Sequence, residues 1–136
     1  MKGLIHVYMG DGKGKTTATV GLAIRAAGRG KNVVYLQFLK GPESGEINIM
    51  NKIDNICFIG NKEKFDFVWK LSKEEKQSLT DIQNANFALA LEKVEKEQID
   101  MLVIDELFSA CNTNTIDVDK VKEFILNKPE QLEVVM

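Results

Sequence analysis

Two residue types that often build functional sites are scarce in this sequence of 136 residues, which has two cysteines and one histidine. Cys57 and Cys111 lie far apart and show none of the paired spacings of zinc ligands or small disulfide scaffolds. We therefore expect two reduced, buried thiols. The single histidine, His6, lies inside a predicted strand, so the sequence offers no Ser-His or Cys-His pair for nucleophilic catalysis.

Long apolar runs and an excess of charge are also missing. No apolar run approaches the roughly 20 residues of a membrane helix, and the apolar part of Met1–Tyr8 is too short for a signal peptide. The 18 basic and 20 acidic residues give a net charge of −2, so no overall attraction to nucleic acid or anionic membranes is expected. We therefore predict a cytoplasmic protein that has neither as a partner and in which any anion site is local.

The length predicts a single domain over residues 1–136. Short apolar runs alternate with segments of helical spacing, an order typical of an α/β fold with a parallel β-sheet and helices on both faces. The predicted strands are Leu4–Met9, Val33–Leu39, Ile56–Ile59, Met101–Ile104 and Leu132–Met136. The predicted helices follow Gly14, carry Ile47 and Met50, start at Ser72, and span Val118–Asn127.

Two of these helices have a clear apolar face and a recognisable end. Gly28 and Gly30 mark the end of the first helix, and Ser72 with Glu75 forms a capping-box pattern at the start of the long one. The apolar faces consist of Val20, Ala23, Ile24 and Ala27 in the first helix, and of Phe87, Ala90, Leu91 and Val94 in the long helix.

The strongest motif is a glycine-rich turn between the first strand and the first helix, which is the setting that a phosphate-binding P-loop requires. The glycines let backbone N–H groups curl around an anion, Lys15 supplies a charge for phosphate oxygens, and Thr16 supplies a hydroxyl for Mg²⁺. The standard spacing would put a glycine where Met9 stands, so the loop is a variant. The alternative is a glycine-rich turn with incidental lysines. The turn consists of Gly10, Asp11, Gly12, Lys13, Gly14, Lys15, Thr16 and Thr17.

A second acidic motif follows the fourth predicted strand. Asp105 stands where P-loop proteins place a carboxylate that holds Mg²⁺ directly or through water. Glu106 could share that role or act as a base. The alternative interpretation of this acidic pair is helix N-capping. The glycine turn, the loop after Gln37 and the acidic pair all fall at the carboxyl edge of the predicted sheet, where α/β proteins bind ligands.

Taken in order along the chain, these motifs resemble the P-loop-type ATP:cob(I)alamin (corrinoid) adenosyltransferases. The resemblance implies a P-loop NTPase (RecA-like) fold, and the shortened, lysine-containing turn is its most specific part. The matching segments are Gly10–Thr17 with Arg25, Gln37–Gly41, Gly45–Glu46, Phe67–Trp69 and Val103–Leu107.

The resemblance implies a reaction in which a cobalt(I) corrinoid attacks the 5′ carbon of ATP and displaces triphosphate. Cobalt is itself the nucleophile, so the protein has to position the reactants and stabilise charge. By resemblance, Gly10–Thr17 holds the triphosphate in an unusual orientation and Arg25 contacts it. Mg²⁺ is held by Thr16 with Asp105 or Glu106.

The family also implies a role for Phe67 and Trp69 as an apolar wall beneath the corrin. This wall excludes the lower axial ligand, and four-coordinate cobalt(II) is then easier to reduce. Without the family context, a Phe-x-Trp sequence in a polar stretch is more often a small satellite of the core.

Further expectations come from the resemblance alone. It implies a homodimer and an electron donor such as a flavoprotein, and it implies a C-terminal strand and helix beyond Met136. Two alternatives stay open: another P-loop protein, such as a small-molecule kinase or an ATPase, and a truncated homologue that binds without turnover. Arg25 and Arg29 are the only arginines, so no arginine-rich kinase lid is evident.

Overall fold

The computed structural model describes residues 2–9 and 14–136. Its centre is a five-stranded sheet in the order β1-β5-β4-β2-β3, and all of its strand pairs are parallel. The strands are β1 (Ile5–His6), β2 (Val33–Gln37), β3 (Ile56–Ile59), β4 (Met101–Asp105) and β5 (Glu133–Val135).

Helices cover both faces of this sheet, as the sequence predicted. Alternate residues of β2 point to opposite faces, so Val34 and Leu36 join one apolar cluster while Val33 and Tyr35 join the other. The long helix packs in the first cluster and the first helix in the second. The helices are α1 (Lys15–Gly28), α2 (Gly45–Met50), α3 (Lys73–Lys96), α4 (Leu107–Asn112) and α5 (Val118–Leu126), with a 3₁₀ turn at Val68–Lys70.

Strands β2 and β4 are neighbours whose onward connections run in opposite directions. Strand β2 leads outward to β3, whereas β4 leads to β5 on its other side. Gln37 and Asp105 are register partners at the carboxyl ends of these two strands. Ligands of open α/β sheets bind at such a switch point, so the fold itself singles out this edge.

Helix α1 is preceded by its N-cap residue Gly14, whose φ of 96° is a left-handed conformation that glycine adopts without strain. Ala23 and Ala27 are buried against the sheet as predicted, and the polar Thr19 is buried with them. The prediction for Ile24 was wrong, because this side chain is exposed. The buried stripe runs through positions 19, 23 and 27, and Ile24 lies about 100° around the helix from Ala23.

The first strand is shorter than predicted. Only Ile5 and His6 form β1, which lies at the sheet edge and pairs with β5 alone. The His6 ring is hydrogen-bonded to the Glu133 carboxylate across this pair.

Cys57 and Cys111 are both free, as expected, but each is only partly buried. Among the described residues, no helix is both long and apolar enough for a membrane span.

The predicted capping box of α3 is present and gives a stability test. The Ser72 hydroxyl accepts from the Glu75 backbone N–H at 3.1 Å, and the Glu75 carboxylate accepts from the Ser72 backbone N–H at 3.1 Å. Ser72→Ala removes the first of these bonds, so we expect the free energy of unfolding to fall by about 1 kcal/mol. Urea denaturation measures it. Ser78→Ala, at an exposed position inside the same helix, is the control, and an equal loss there would contradict the capping role.

Candidate functional site

The carboxylate of Asp105 is the centre of a polar cluster at the carboxyl end of β4. Asp105 is only 6% exposed. Its carboxylate accepts from the Thr16 hydroxyl at 3.2 and 3.3 Å and from the Gln37 amide at 3.0 Å. Tyr35 donates a further hydrogen bond at 3.3 Å. The structure thus brings together Thr16 and Asp105, two residues that the sequence predicted as metal ligands.

Tyr35 and Thr19 connect this cluster to α1 through hydrogen bonds. The Thr19 hydroxyl lies 3.0 Å from the Tyr35 hydroxyl and 2.9 Å from the Thr16 carbonyl oxygen. Burial raises the pKa of Tyr35 far above its ordinary value, and the neighbouring Asp105 carboxylate raises it further. The phenol therefore stays protonated and serves as a permanent donor. This chain of bonds ties the first turn of α1 to the end of β4.

Lys40 is a site residue that motif reasoning missed. Its ammonium donates to the Thr16 hydroxyl at 2.8 Å and lies 3.8 Å from the nearer Asp105 oxygen. Lys40 belongs to Gln37–Gly41, one of the segments that carry the family resemblance, but the motifs predict no role for it. A lysine three residues beyond the end of a buried strand carries no spacing signal of its own, because lysines are common in loops.

The backbone before Lys40 is held in an unusual conformation. Leu39 has a φ of 63°, and the Lys40 N–H donates to the Phe38 carbonyl at 2.9 Å, which closes a three-residue turn. Turns of this kind with positive φ are rare and strained. The buried Gln83 holds the turn, because its side chain accepts from the Leu39 N–H at 2.9 Å and donates to the Thr115 carbonyl at 2.9 Å.

The predicted phosphate loop is described only in part. Gly10, Asp11, Gly12 and Lys13 lie outside the described residues. Lys15 is the first residue of α1, and its side chain lines a small cavity of about 40 Å³ together with Tyr8 and Glu106. Thr17 is exposed in the first turn of α1.

Arg25 is not brought to this end of the helix. It lies in the last turn of α1, ten residues after Lys15, which corresponds to about 15 Å along the helix axis. Its side chain is exposed. The structure therefore does not place Arg25 near the predicted phosphate site, because that site lies at the start of α1 and Arg25 lies near its end.

Phe67 and Trp69 lie in an open groove next to the polar cluster. The groove has a volume of about 1000 Å³, and we call it the aromatic groove; its lining includes Lys40, Lys64, Asp66, Phe67, Trp69 and Glu106. The two rings are stacked, with centroids 4.6 Å apart and planes 7° from parallel. They are 60% and 77% exposed, so the alternative of a core satellite is wrong. Two exposed, stacked rings form a ready apolar surface for a flat ligand.

Glu106 borders both the aromatic groove and the small cavity at Lys15. It has a φ of 64° and precedes α4, yet its side chain makes no capping hydrogen bond to the described part of the chain. The helix-capping interpretation of the acidic pair therefore does not account for either residue. Asp105 is the last residue of β4 and accepts the hydrogen bonds of the polar cluster, whereas Glu106 lines the aromatic groove and the small cavity at Lys15.

The cluster has the donors that Mg²⁺ prefers. Thr16 and Asp105 offer a hydroxyl and a carboxylate oxygen side by side, and Mg²⁺ in nucleotide sites takes few protein oxygens and completes its shell with phosphate and water. The described residues contain no group of three His, Cys, Asp or Glu side chains that could hold a metal without such help. The residues thus fit a Mg²⁺ that arrives with a nucleotide.

The α/β class of P-loop NTPase-like proteins is defined by three features seen here: a parallel sheet with helices on both faces, a helix preceded by a left-handed glycine, and a threonine beside a strand-end carboxylate. The family model "ATP:corrinoid adenosyltransferase BtuR/CobO/CobP" matches residues 1–136. The chain therefore belongs to the ATP:corrinoid adenosyltransferase family.

Individual relatives agree with this assignment. A corrinoid adenosyltransferase of Escherichia coli (strain K12) is 30% identical over 139 residues, which cover 99% of this chain and 67% of the relative. One from Sinorhizobium sp is 32% identical over 140 residues, covering 99% of this chain and 63% of that protein. Corrinoid adenosyltransferase CobA of Salmonella typhimurium is 54% identical over 50 residues, covering 36% of this chain and 26% of CobA. The chain thus spans about two thirds of the E. coli relative.

Proposed function

We propose that this protein transfers the 5′-deoxyadenosyl group of ATP to a cobalt(I) corrinoid and releases triphosphate, in the biosynthesis or salvage of adenosylcobalamin. The observation that carries the proposal is the position of the Thr16–Asp105 pair next to the aromatic groove, in a chain of this family. The triphosphate would then bind at the start of α1 and the corrinoid in the aromatic groove, so the two substrates would be neighbours.

The bond changes need little covalent chemistry from the protein. Cobalt(I) supplies both electrons of the new Co–C bond and becomes cobalt(III), while the C5′–O bond breaks and its electron pair leaves with the triphosphate. The protein contributes position and charge. Lys15, at the start of α1, is proposed to stabilise the charge that grows on the triphosphate, together with Lys13 and the amides of Gly10–Thr17.

Mg²⁺ would be held by Thr16 and Asp105, with Glu106 next to them. When bound, the ion would neutralise charge on the triphosphate. The Asp105 carboxylate is already oriented for this by Gln37 and Tyr35. Gln37 and Tyr35 fix the orientation of the carboxylate, and they leave lone pairs of its oxygens for a cation.

Phe67 and Trp69 would contact the lower face of the corrin. A planar apolar surface in this position leaves no polar group to serve as a lower axial ligand of cobalt. The two rings support each other as a stacked pair, which limits the side-chain ordering that binding requires.

Product analysis tests the proposed reaction. The protein is mixed with MgATP and a chemically reduced corrinoid, and the products are identified by mass spectrometry. We expect an adenosylcorrinoid and triphosphate in equal amounts. ADP and phosphate would instead indicate the kinase or ATPase alternative, and binding of both substrates without product would indicate a binding-only homologue.

Substitution of the aromatic pair tests the groove. We expect Phe67→Ala and Trp69→Ala to lower the rate with a cobalt(II) corrinoid and a reductant by about tenfold or more, which is 1.4 kcal/mol in barrier. The rate with prereduced cobalt(I) should change much less. Electron paramagnetic resonance of bound cobalt(II) measures the four-coordinate fraction directly.

The control for these substitutions is Leu126→Ala, which truncates another exposed apolar side chain far along the chain on α5. It should change neither rate nor spectrum. An unchanged four-coordinate fraction in both aromatic variants would remove the assigned role of the pair.

The remaining expectations are proposals that rest on family resemblance. We propose that the protein acts in the cytoplasm as a homodimer, and that a reduced flavoprotein supplies the electron for cobalt(II). Sedimentation equilibrium tests the dimer. A strictly monomeric, active protein would exclude it.

A further inference from the structure

We propose that Lys40 occupies the divalent-cation position between Thr16 and Asp105 when no metal is bound, and turns into the aromatic groove when Mg²⁺ arrives with the nucleotide. The inference rests on the proposed metal site and assigns a new positioning residue to it. Its starting point is the contact of the Lys40 ammonium with both predicted ligands, at 2.8 Å from the Thr16 hydroxyl and 3.8 Å from the Asp105 carboxylate.

The two cations exclude each other at this position. The Thr16 hydroxyl donates to Asp105 and accepts from Lys40, so the ammonium occupies one of the two lone pairs of the oxygen through which a metal would bind. A Mg²⁺ ion held by Thr16 and Asp105 would share both of these oxygen-bearing side chains with the ammonium. Like charges this close to each other repel, and the repulsion is stronger beside the buried Asp105 carboxylate than in open solvent.

The buried charge of Asp105 explains why a substitute cation is useful. Asp105 is 6% exposed, and its other partners, Gln37 and Tyr35, are neutral donors. A buried carboxylate without a compensating cation is costly. Lys40 keeps the carboxylate paired before the metal binds, and the metal takes over that role afterwards.

The strained turn at Leu39 is an independent observation that points the same way. Leu39 has a φ of 63°, and the buried Gln83 side chain holds its N–H. Strain of this kind persists only where the surrounding structure enforces it, and it is concentrated at functional positions. The turn lies directly before Lys40, whose ammonium reaches Thr16 and Asp105.

The aromatic groove provides the second position of Lys40. The side chain is 34% exposed and already lines the groove, where Asp66 and Glu106 offer carboxylates. Arrival of Mg²⁺ therefore adds a positive charge to the groove at the time when the triphosphate must be stabilised. Because linkage is reciprocal, an anionic ligand that holds Lys40 in the groove should in turn strengthen metal binding.

Calorimetric titration with ATP, with and without Mg²⁺, tests the proposal in the intact chain. The quantity compared is the dissociation constant of ATP without Mg²⁺ divided by the dissociation constant of ATP with Mg²⁺. Lys40→Met leaves Asp105 unpaired without metal and removes the competitor when metal is present. We expect metal-free ATP binding to weaken, MgATP binding to be kept or strengthened, and the ratio to rise about tenfold, within the usual range of coupling between sites.

Two further variants separate the possible outcomes. Lys40→Arg, which keeps the charge, should restore a ratio close to that of the original protein, and Lys62→Met, at an exposed lysine of a nearby loop, should leave it unchanged. A Lys40→Met ratio equal to the original one overturns the role of Lys40 while leaving the metal site intact. If the original protein itself shows no response to Mg²⁺, the proposed metal site fails as well. Circular dichroism confirms that each variant is folded.

Discussion

Replacing Lys15 with alanine is expected to lower the rate of adenosyl transfer by on the order of 10²–10³-fold. Lys15 is the first residue of α1, and its side chain lines the small cavity beside Asp105 and Glu106. An ammonium at this position acts on charge that appears as the triphosphate leaves, so its loss should reduce kcat as well as kcat/KM. Steady-state rates with saturating reduced corrinoid and varied MgATP measure both quantities.

The matched control is Lys52→Ala, which removes an exposed lysine from the turn after α2. It should leave both constants within twofold. Near-normal turnover of Lys15→Ala would contradict the assignment of α1 to the phosphate site. A loss confined to KM would indicate that Lys15 binds the ground state and the transition state equally.

Replacing Gln83 with leucine is expected to cost about 3 kcal/mol of unfolding free energy, the largest stability effect that we predict. The change keeps side-chain volume but removes the partners of two backbone groups, the Leu39 N–H and the carbonyl of the buried Thr115. Each buried polar group left without a partner costs about 1–3 kcal/mol. Urea denaturation followed by circular dichroism gives the value.

Gln77→Leu, on an exposed turn of the same helix, controls for the change of residue type. It loses only a surface hydrogen bond to Asp81. A similar loss in both variants would show that the turn at Leu39 does not depend on Gln83. If Gln83 holds the turn as described, its loss should also shift the Mg²⁺ response of ATP binding in the same direction as Lys40→Met.

The central strands and long helix were predictable because their signals are local. Ile56–Ile59 is an apolar run that forms β3 with the predicted bounds, and Ser72 with Glu75 marks the start of α3. The ends of elements were less predictable. Residues 7–9 continue the apolar run of β1 but lie beyond its two paired residues, and Leu39 continues the run of β2 but adopts positive φ.

The candidate site was predictable only where a motif names the residue. Thr16 and Asp105 belong to known sequence patterns, and the structure brings them together. Tyr35 and Gln83 were missed because one polar residue in an apolar strand or helix face gives no periodic signal. A retrospective signal exists for Gln83, which lies at helical spacing from Phe87 and Ala90 on the buried face of α3. Helix α4 was also missed, although its buried Leu107 and Ala110 form a single pair at helical spacing.

The exposed ring stack also gives the protein a built-in optical probe. Trp69 is the single tryptophan of the chain, and it is 77% exposed in the aromatic groove. Its fluorescence therefore comes from one known place, and a corrinoid, which absorbs strongly in the near ultraviolet and visible, would quench it on contact. Titrations can then follow groove occupancy at equilibrium in the unlabelled protein, independently of any catalytic turnover.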